Sequence, residues 1–365
     1  MRQSGIKFVT GVPDSLLRSV IESFDAEGFI HVRAANEGTA VAIAAGWGMG
    51  QDSPPLVYMQ NSGIGNAVSP LMSLAHNKVY GCSMILLIGW RGRPGHKDEP
   101  QHIAQGEAMI PMLDSLGIPH RVLENACDQS ETDSVFREAS AHKGPFAILV
   151  GPTSIPPSSL NTGVQAGDVI STWPTKSDYM DVLLSLKENN QLYVSTTGFT
   201  SREAYAQFMS RQALDQLLMN VGAMGHAISI SLGIALSQPK NEIFCLDGDG
   251  SVAMHLGGLA GVAQIAPRNL THLVFNNMSH ESVGGEPTVL TGSNLSAIAK
   301  DLGYKTSATI ASTDDLRQVL SETKGRDGPH FIELLTSLGI PGSLPRPSEP
   351  LKDLLKLFRA RIHES

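Results

Sequence analysis

Two short stretches carry residues that could do chemistry together. Asp247-Gly248-Asp249-Gly250-Ser251 closes the apolar run Ile243-Phe244-Cys245-Leu246, and Asn276-Asn277 closes Leu273-Val274-Phe275. Runs of that kind read as buried strands. Two neighbouring parallel strands would deliver Asp249 and an asparagine amide oxygen to one place at their carboxyl ends, where open α/β sheets bind ligands. A carboxylate and a carboxamide are hard oxygen donors of low total charge. They suit Mg²⁺, which keeps water and completes its shell from a phosphate. Gly248 and Gly250 let backbone N–H groups approach such a phosphate. Either half alone is equally a turn or a cap, because Asp-Gly pairs form turns and asparagine caps the next element. Their co-occurrence, each behind an apolar strand, points to a metal and diphosphate site.

The rest of the chain supplies the frame for these residues. Residues 8–10, 56–59, 84–89 and 147–150 read as strands, and 14–28, 37–50 and 102–117 as helices. A stretch rich in Pro, Ser, Thr and Gly follows over 152–178. The alternation then resumes with a strand at 192–195, a helix over 225–237, strands near 243 and 273, a strand at 330–334 and an amphipathic helix over 350–363. Strand alternating with helix predicts an α/β architecture of two doubly wound parallel-sheet domains, 1–151 and 179–365, joined by a linker over 152–178.

Bulk properties narrow the class. The chain has 365 residues and a net charge of −8, which argues against a general nucleic-acid binder. No run of about twenty apolar residues predicts a membrane span, and the first residues hold no signal-peptide core. The cytoplasm is the expected location. Cys82, Cys127 and Cys245 are scattered, two of them in apolar runs, and read as buried reduced thiols rather than a disulfide or zinc framework.

The Gly-Asp-Gly turn with its Asn-Asn pair resembles the cofactor signature of the thiamine diphosphate enzymes. The resemblance implies that Asp249, Asn277 and the backbone carbonyl of Ser279 bind Mg²⁺, which bridges to the cofactor's diphosphate beside Gly248, Gly250 and Ser251. Asn36-Glu37-Gly38-Thr39-Ala40 opens a helix of small residues, where Glu37 by itself would only complement the helix dipole. The resemblance makes Glu37 the acid that bonds N1′ of the aminopyrimidine and so activates the thiazolium. Gly222-Ala223-Met224-Gly225-His226 precedes a helix and matches the place of the wedge that bends the cofactor. Met224 would be the wedge, and Gly222 the carbonyl that accepts from N4′. Thr197 and Thr200, after a strand, would hold the diphosphate at a helix N-terminus. In this family the two domains share one basic fold and the cofactor spans two subunits, so a homodimer or higher homo-oligomer is expected.

A second stretch bears on the substrate. Arg91, Arg93, His96 and Lys97 crowd a glycine-rich loop at the end of a strand, where they could neutralise a dianion or could pair with Asp98 and Glu99 in solvent. Trp90-Arg91-Gly92 through Pro100-Gln101-His102, with Thr10–Ser15, Gln60-Asn61-Ser62-Gly63 and His280–Gly285, resembles the phosphonopyruvate decarboxylases over nearly the whole chain. That resemblance implies a carboxy-lyase of phosphonate biosynthesis, acting on a small anionic 2-oxo acid, with Arg91, Arg93 and Lys97 as substrate-binding groups. It implies Asp14, Ser15 and His102 in proton transfer or substrate contact. His280, three residues after Asn277, would face the reacting carbon. Glu286 stands where the resemblance leads one to expect Gln, and Phe199 where a polar residue is more usual. A carboxylate at 286 is unfavourable near a dianion unless it points away or pairs with a base. A sulfopyruvate or other anionic 2-oxo acid decarboxylase is the alternative. A non-catalytic partner subunit would lack either Glu37 or the metal motif. A nicotinamide dehydrogenase would need a GxGxxG after its first strand, where this chain has none.

Overall fold

Strands covered on both faces need continuous apolar runs rather than alternation, and the runs of this chain become parallel strands. The computed structural model describes residues 5–155, 172–339 and 344–364. They form two compact units, the first holding residues up to 155 together with Val283–Val289, the second holding the others.

In the first unit, β1 (Phe8–Gly11), β2 (Ile30–Arg33), β3 (Leu56–Gln60), β4 (Met84–Gly89), β5 (His120–Leu123) and β6 (Pro145–Val150) make one sheet in the order β2-β1-β3-β4-β6-β5. Every pairing in it is parallel. The helices are α1 (Arg18–Ala26), α2 (Glu37–Gly50), α3 (Ile64–Pro70), α4 (Pro100–Ser115) and α5 (Gln129–Ala141). Strand β4 shows how the sheet is sealed. Met84, Leu86 and Ile88 enter one core cluster, and Ile85 and Leu87 enter another on the opposite face, as the two-residue period of a strand dictates.

The second unit runs α6 (Lys176–Ser185), β7 (Gln191–Ser195), α7 (Phe199–Ser210), β8 (Leu217–Met219), α8 (Ala227–Ser237), β9 (Glu242–Gly248), α9 (Asp249–Met254), α10 (Gly257–Ile265), β10 (Leu270–Asn276), α11 (Leu295–Leu302), β11 (Thr306–Ile310), α12 (Thr313–Thr323), β12 (His330–Leu335) and α13 (Leu351–Glu364). Its strands lie in the order β11-β12-β10-β9-β7-β8, again all parallel. Counted from each unit's own first strand, the two sheets have the same order. The chain therefore uses one doubly wound topology twice, as the alternating pattern predicts. In each sheet the direction of winding reverses between the first and third strands. Ligand crevices open at that switch point, outside the carboxyl ends. The residues there follow β1 and β3 in one unit and β7 and β9 in the other.

Three boundaries differ from the sequence expectation. The helix expected from 14 starts at Arg18, because Pro13 and the buried Asp14 belong to the turn leaving β1. Helix α6 begins at Lys176 behind a Thr175–Asp178 capping box, so the linker composition runs on into a helix; residues 156–171 of that stretch lie outside the described residues. Val283–Val289 groups with the first unit rather than with the sequence around it. Cys82 and Cys245 are buried as expected, but Cys127 is exposed, and all three are free thiols. Among the described residues no helix is long and apolar enough to cross a membrane.

The α2 entry is local chemistry. Asn36 is extended, and its Oδ1 accepts from Thr39 N at 2.9 Å, which sets Glu37 as the first helical residue. Asn36→Ala should lower unfolding free energy by about 1 kcal/mol, read from urea midpoints. An unchanged midpoint would show that packing alone starts the helix.

Candidate active site

The β9–β10 register pairs Gly248 with Phe275, so the residues that follow leave the sheet side by side. Asp249, 3% exposed, is the first residue of α9. The two asparagines are held in the same way by different carboxylates. Asn276 donates to Glu333 Oε1 on β12 at 2.7 Å and accepts from Met278 N in the turn at 3.1 Å. Asn277 donates from Nδ2 to Glu281 Oε2 at 3.1 Å, and its Oδ1 accepts from Ser279 N at 3.1 Å. An amide oxygen has a second lone pair, so Asn277 Oδ1 can also meet a cation. Met278 between them takes a left-handed backbone, φ 59°, which costs a non-glycine residue about 1–2 kcal/mol. Buried Ser279 Oγ has no hydrogen-bond partner among the described residues. Asp247 stiffens the approach: its Oδ1 accepts from Gly248 N at 2.9 Å, and its Oδ2 faces His272 Nε2 at 3.3 Å.

Ser251 joins the other predicted pieces of this unit. Its Oγ accepts from Thr196 Oγ1 at 2.9 Å and from Gly225 N at 3.1 Å. One hydroxyl thus ties the end of β7, the turn before α8 and the helix after Gly-Asp-Gly. Thr200 is buried in the first turn of α7, whereas Thr197 is partly exposed and Thr196 makes the bond to Ser251. The Gly222 carbonyl accepts from Met224 N at 3.0 Å, closing a tight turn that leaves its second lone pair unused by that bond. His280 is partly exposed, just past Ser279.

In the first unit Glu37 is 5% exposed. Burial raises its pKa above the ordinary carboxyl value, against the lowering effect of its bond from Asn66. Asn66 Nδ2 donates to Glu37 Oε2 at 2.8 Å, and Oε1 lies over Gly63, where a Cβ would come within 2.2 Å. Asp14, 1% exposed, has its pKa pushed up to about 6 by burial, opposed by the charge of Arg91. Its Oδ2 accepts from Leu16 N at 3.0 Å, and its Oδ1 has no partner among the described residues.

The basic loop is more self-paired than its composition suggests. Arg91 is clasped by Asp98 (Nε–Oδ2 2.8 Å, Nη2–Oδ1 2.5 Å), while its Nη1 reaches Ser15 Oγ at 3.2 Å. Burial alone would raise the Asp98 pKa, but Arg91 and the N–H groups of Gly92 and Glu99 hold it well below the usual range. Asn61 exchanges two hydrogen bonds with the Arg91 backbone, at 2.9 and 3.1 Å. Gly92, φ +67°, packs where a Cβ would meet the His102 carbonyl at 1.9 Å. The structure therefore brings Asp14, Ser15, Arg91 and the start of α4 with His102 together beyond the carboxyl ends of β1 and β4. It does not add Arg93, whose guanidinium is taken by Glu124 at 2.7 and 2.9 Å. Lys97 is exposed. Glu286 is buried against Arg33 (Nε–Oε2 2.6 Å), so the unexpected carboxylate has its base.

The donor chemistry fits a magnesium diphosphate: a carboxylate, a carboxamide whose nitrogen is already committed, and backbone groups of a glycine turn. Sequence comparison agrees. The pattern of the thiamine pyrophosphate enzyme C-terminal TPP binding domain matches residues 197–334, and that of the N-terminal TPP binding domain matches residues 1–118. A phosphonopyruvate decarboxylase of Streptomyces viridochromogenes is 34% identical over 98% of this chain and 92% of its own length. The chain belongs to the thiamine pyrophosphate enzymes. Its cofactor is thiamine diphosphate with Mg²⁺. The phosphonopyruvate decarboxylase of Streptomyces hygroscopicus is also 34% identical, over 97% of this chain and 90% of its length. A sulfopyruvate decarboxylase of Methanosarcina acetivorans is 24% identical over 99% and 95%.

Sequence reasoning in this thiamine enzyme missed the amide that holds Glu37, Asn66, the grip of Asn61 on the Arg91 backbone, and the acid Glu333 behind Asn276. The visible signal was the run Asn61-Ser62-Gly63-Ile64-Gly65-Asn66, polar and glycine-rich where a helix begins.

Gly63 has an ordinary negative backbone angle, so Gly63→Ala tests contact alone. It should displace Glu37 and weaken thiamine diphosphate binding at least tenfold, by calorimetric titration, with the circular dichroism unchanged; native affinity would show that Glu37 tolerates the methyl. Asp14 binds its proton more tightly folded than unfolded. Between about 3.8 and 6 the folded protein therefore takes up protons relative to the unfolded chain, and stability falls as pH rises through that window. Asp14→Asn should be more stabilising at pH 7 than at pH 4. An equal difference at both pH values would remove burial as the cause.

Proposed function

We propose that the chain decarboxylates 3-phosphonopyruvate to phosphonoacetaldehyde and CO₂, as a carboxy-lyase of phosphonate biosynthesis. The likeness to two phosphonopyruvate decarboxylases over nearly the whole chain carries the substrate assignment, and the Arg91–Ser15–Asp14 cluster supports it. In the reaction the bond to the carboxylate carbon breaks, CO₂ leaves and a proton takes its place on the carbonyl carbon. Thiamine diphosphate supplies the sink for the electron pair released in that cleavage.

The chain's own residues have distinct tasks in this reading. Glu37 would offer Oε1, the oxygen that Asn66 does not occupy, to the aminopyrimidine. Asp249, Asn277 Oδ1 and the Ser279 carbonyl hold Mg²⁺. The amide of Gly250, with Thr197, Thr200 and Ser251, would receive the diphosphate, whereas the Gly248 N–H expected there is already given to Asp247 Oδ1. Met224 and the Gly222 carbonyl, in the tight turn before α8, would hold the cofactor between its two ends. Arg91, steered by Asp98, meets the phosphonate with the Ser15 hydroxyl. Arg93, engaged by Glu124, and exposed Lys97 act at longer range. Asp14, with a pKa of about 6, exchanges a proton at Oδ1 near neutral pH, and the imidazoles of His102 and His280 are groups of the type that serves as general acid or base. Glu37 belongs to the first unit and the metal donors to the second. A homodimer, each site taking Glu37 from one copy and the metal donors from the other, is the smallest assembly this reading needs.

The test is CO₂ release by purified protein from phosphonopyruvate, sulfopyruvate and pyruvate, with and without added cofactor. Phosphonopyruvate should be the preferred substrate, and Glu37→Gln should cut turnover by at least a hundredfold with an unchanged melting temperature. Preference for sulfopyruvate would transfer the assignment to the sulfonate, and turnover of pyruvate alone would discard the role of Arg91.

A further inference from the structure

Three segments of the second unit converge on Glu281, a residue with no part in the reaction described so far. Its Oε2 accepts from Lys176 Nζ at 2.6 Å and from Asn277 Nδ2 at 3.1 Å; its Oε1 accepts from Gly339 N at 2.7 Å. Lys176 is 8% exposed, unusual for a lysine, and comes from the first turn of α6. A buried lysine with a carboxylate is a fixed anchor, because leaving either charge alone there is costly.

The consequence falls on Asn277. A carboxamide can present either its oxygen or its nitrogen, and only the oxygen can bind a cation. With Nδ2 drawn to the Glu281 carboxylate, Oδ1 must take the opposite side, where Ser279 N also meets it. A flipped amide would set its NH₂ against both the Ser279 N–H and an arriving cation, and would put its oxygen against a carboxylate. Asn276 is oriented by its own partners, its Nδ2 by Glu333 on β12 and its Oδ1 by Met278 N.

We propose that Glu281, anchored by Lys176, is a positioning residue that fixes the Asn277 carboxamide with its oxygen toward Mg²⁺. The proposal rests on the reading of Asn277 as a metal ligand. It makes the turn of α6 part of the metal site without Lys176 touching the ion.

Removing Glu281 alone would strand Lys176, so the test uses paired variants. Glu281→Met with Lys176→Met removes both charges and the acceptor. It should fold and raise the Mg²⁺ concentration for half-maximal thermal stabilisation, at fixed thiamine diphosphate, at least tenfold. Glu281→Gln with Lys176→Met keeps an acceptor oxygen and should return that concentration to within about threefold of wild type. Asn277→Ala is the control. If Asn277→Ala raises the concentration and the double methionine variant does not, Glu281 has no positioning role and the metal ligand stands. If the double methionine and the glutamine variants shift alike, the charge pair rather than the acceptor matters, and the proposal is wrong. If Asn277→Ala changes nothing, the ligand reading fails and the proposal fails with it.

Discussion

Both units bury carboxyl groups at the carboxyl ends of parallel strands, and much of the surrounding structure answers that constraint. Asp14, Glu37, Asp247, Asp249 and Glu333 are each at most 5% exposed. A lone buried carboxylate costs several kcal/mol and raises its own pKa instead. The answer here is mostly neutral. Asn66 donates to Glu37, Asn276 to Glu333, Leu16 N to Asp14 and Gly248 N to Asp247. An amide or a backbone N–H satisfies a carboxylate oxygen without cancelling its charge. A lysine or arginine in the same place would pin the proton off and cancel the negative charge.

The same topology carries two different solutions of that problem. The first unit leaves acids with raised affinity for protons, Asp14 and Glu37, each with one oxygen held and one turned elsewhere. The second unit gathers oxygen donors around a turn whose conformation is set by Met278, Asp247 and Ser251. One is suited to protons, and the other offers donors of the kind that suit a cation. The division follows from loop content alone, since the strand order is shared. It is what a family that binds a diphosphate at one end of its cofactor and a proton-accepting ring at the other requires of a duplicated fold.

The sequence showed what is local. Apolar runs closed by Gly-Asp-Gly and Asn-Asn gave the strands and the metal motif; Asn36 before a run of small residues gave the α2 cap. What it did not show depends on distant partners. Asn66 and Glu37 stand 29 positions apart, and Arg33 and Glu286 stand 253 apart. No period or composition rule joins such pairs. Composition also misled where polarity and structure part company. Residues 172–178 read as linker because Thr, Pro and Ser dominate them, yet Thr175 there is a helix cap. Four basic groups in one loop read as a patch for an anion, yet Arg91 and Arg93 each already face a carboxylate.

That pairing changes how an anion is recognised. Arg91 with Asp98, and Arg93 with Glu124, are close to neutral as units, so the loop offers little net positive field. Selectivity between a phosphonate and a sulfonate then cannot come from charge attraction at a distance. In the proposed reading it comes from donors in contact, and Arg91 has the Nη1 edge turned to Ser15 rather than to Asp98. Asp98 does not compete for that edge; it fixes the plane of the guanidinium, and Asn61 fixes its backbone. A rigid fork with few free donors favours a ligand with more acceptor charge per oxygen, because each contact formed is charge-assisted and little ordering remains to be done. The phosphonate dianion has that charge and the sulfonate does not. The buried Glu286 belongs to the same balance. Held by Arg33, which also meets Asp25, it adds a compensated charge to the first unit rather than a repulsive one.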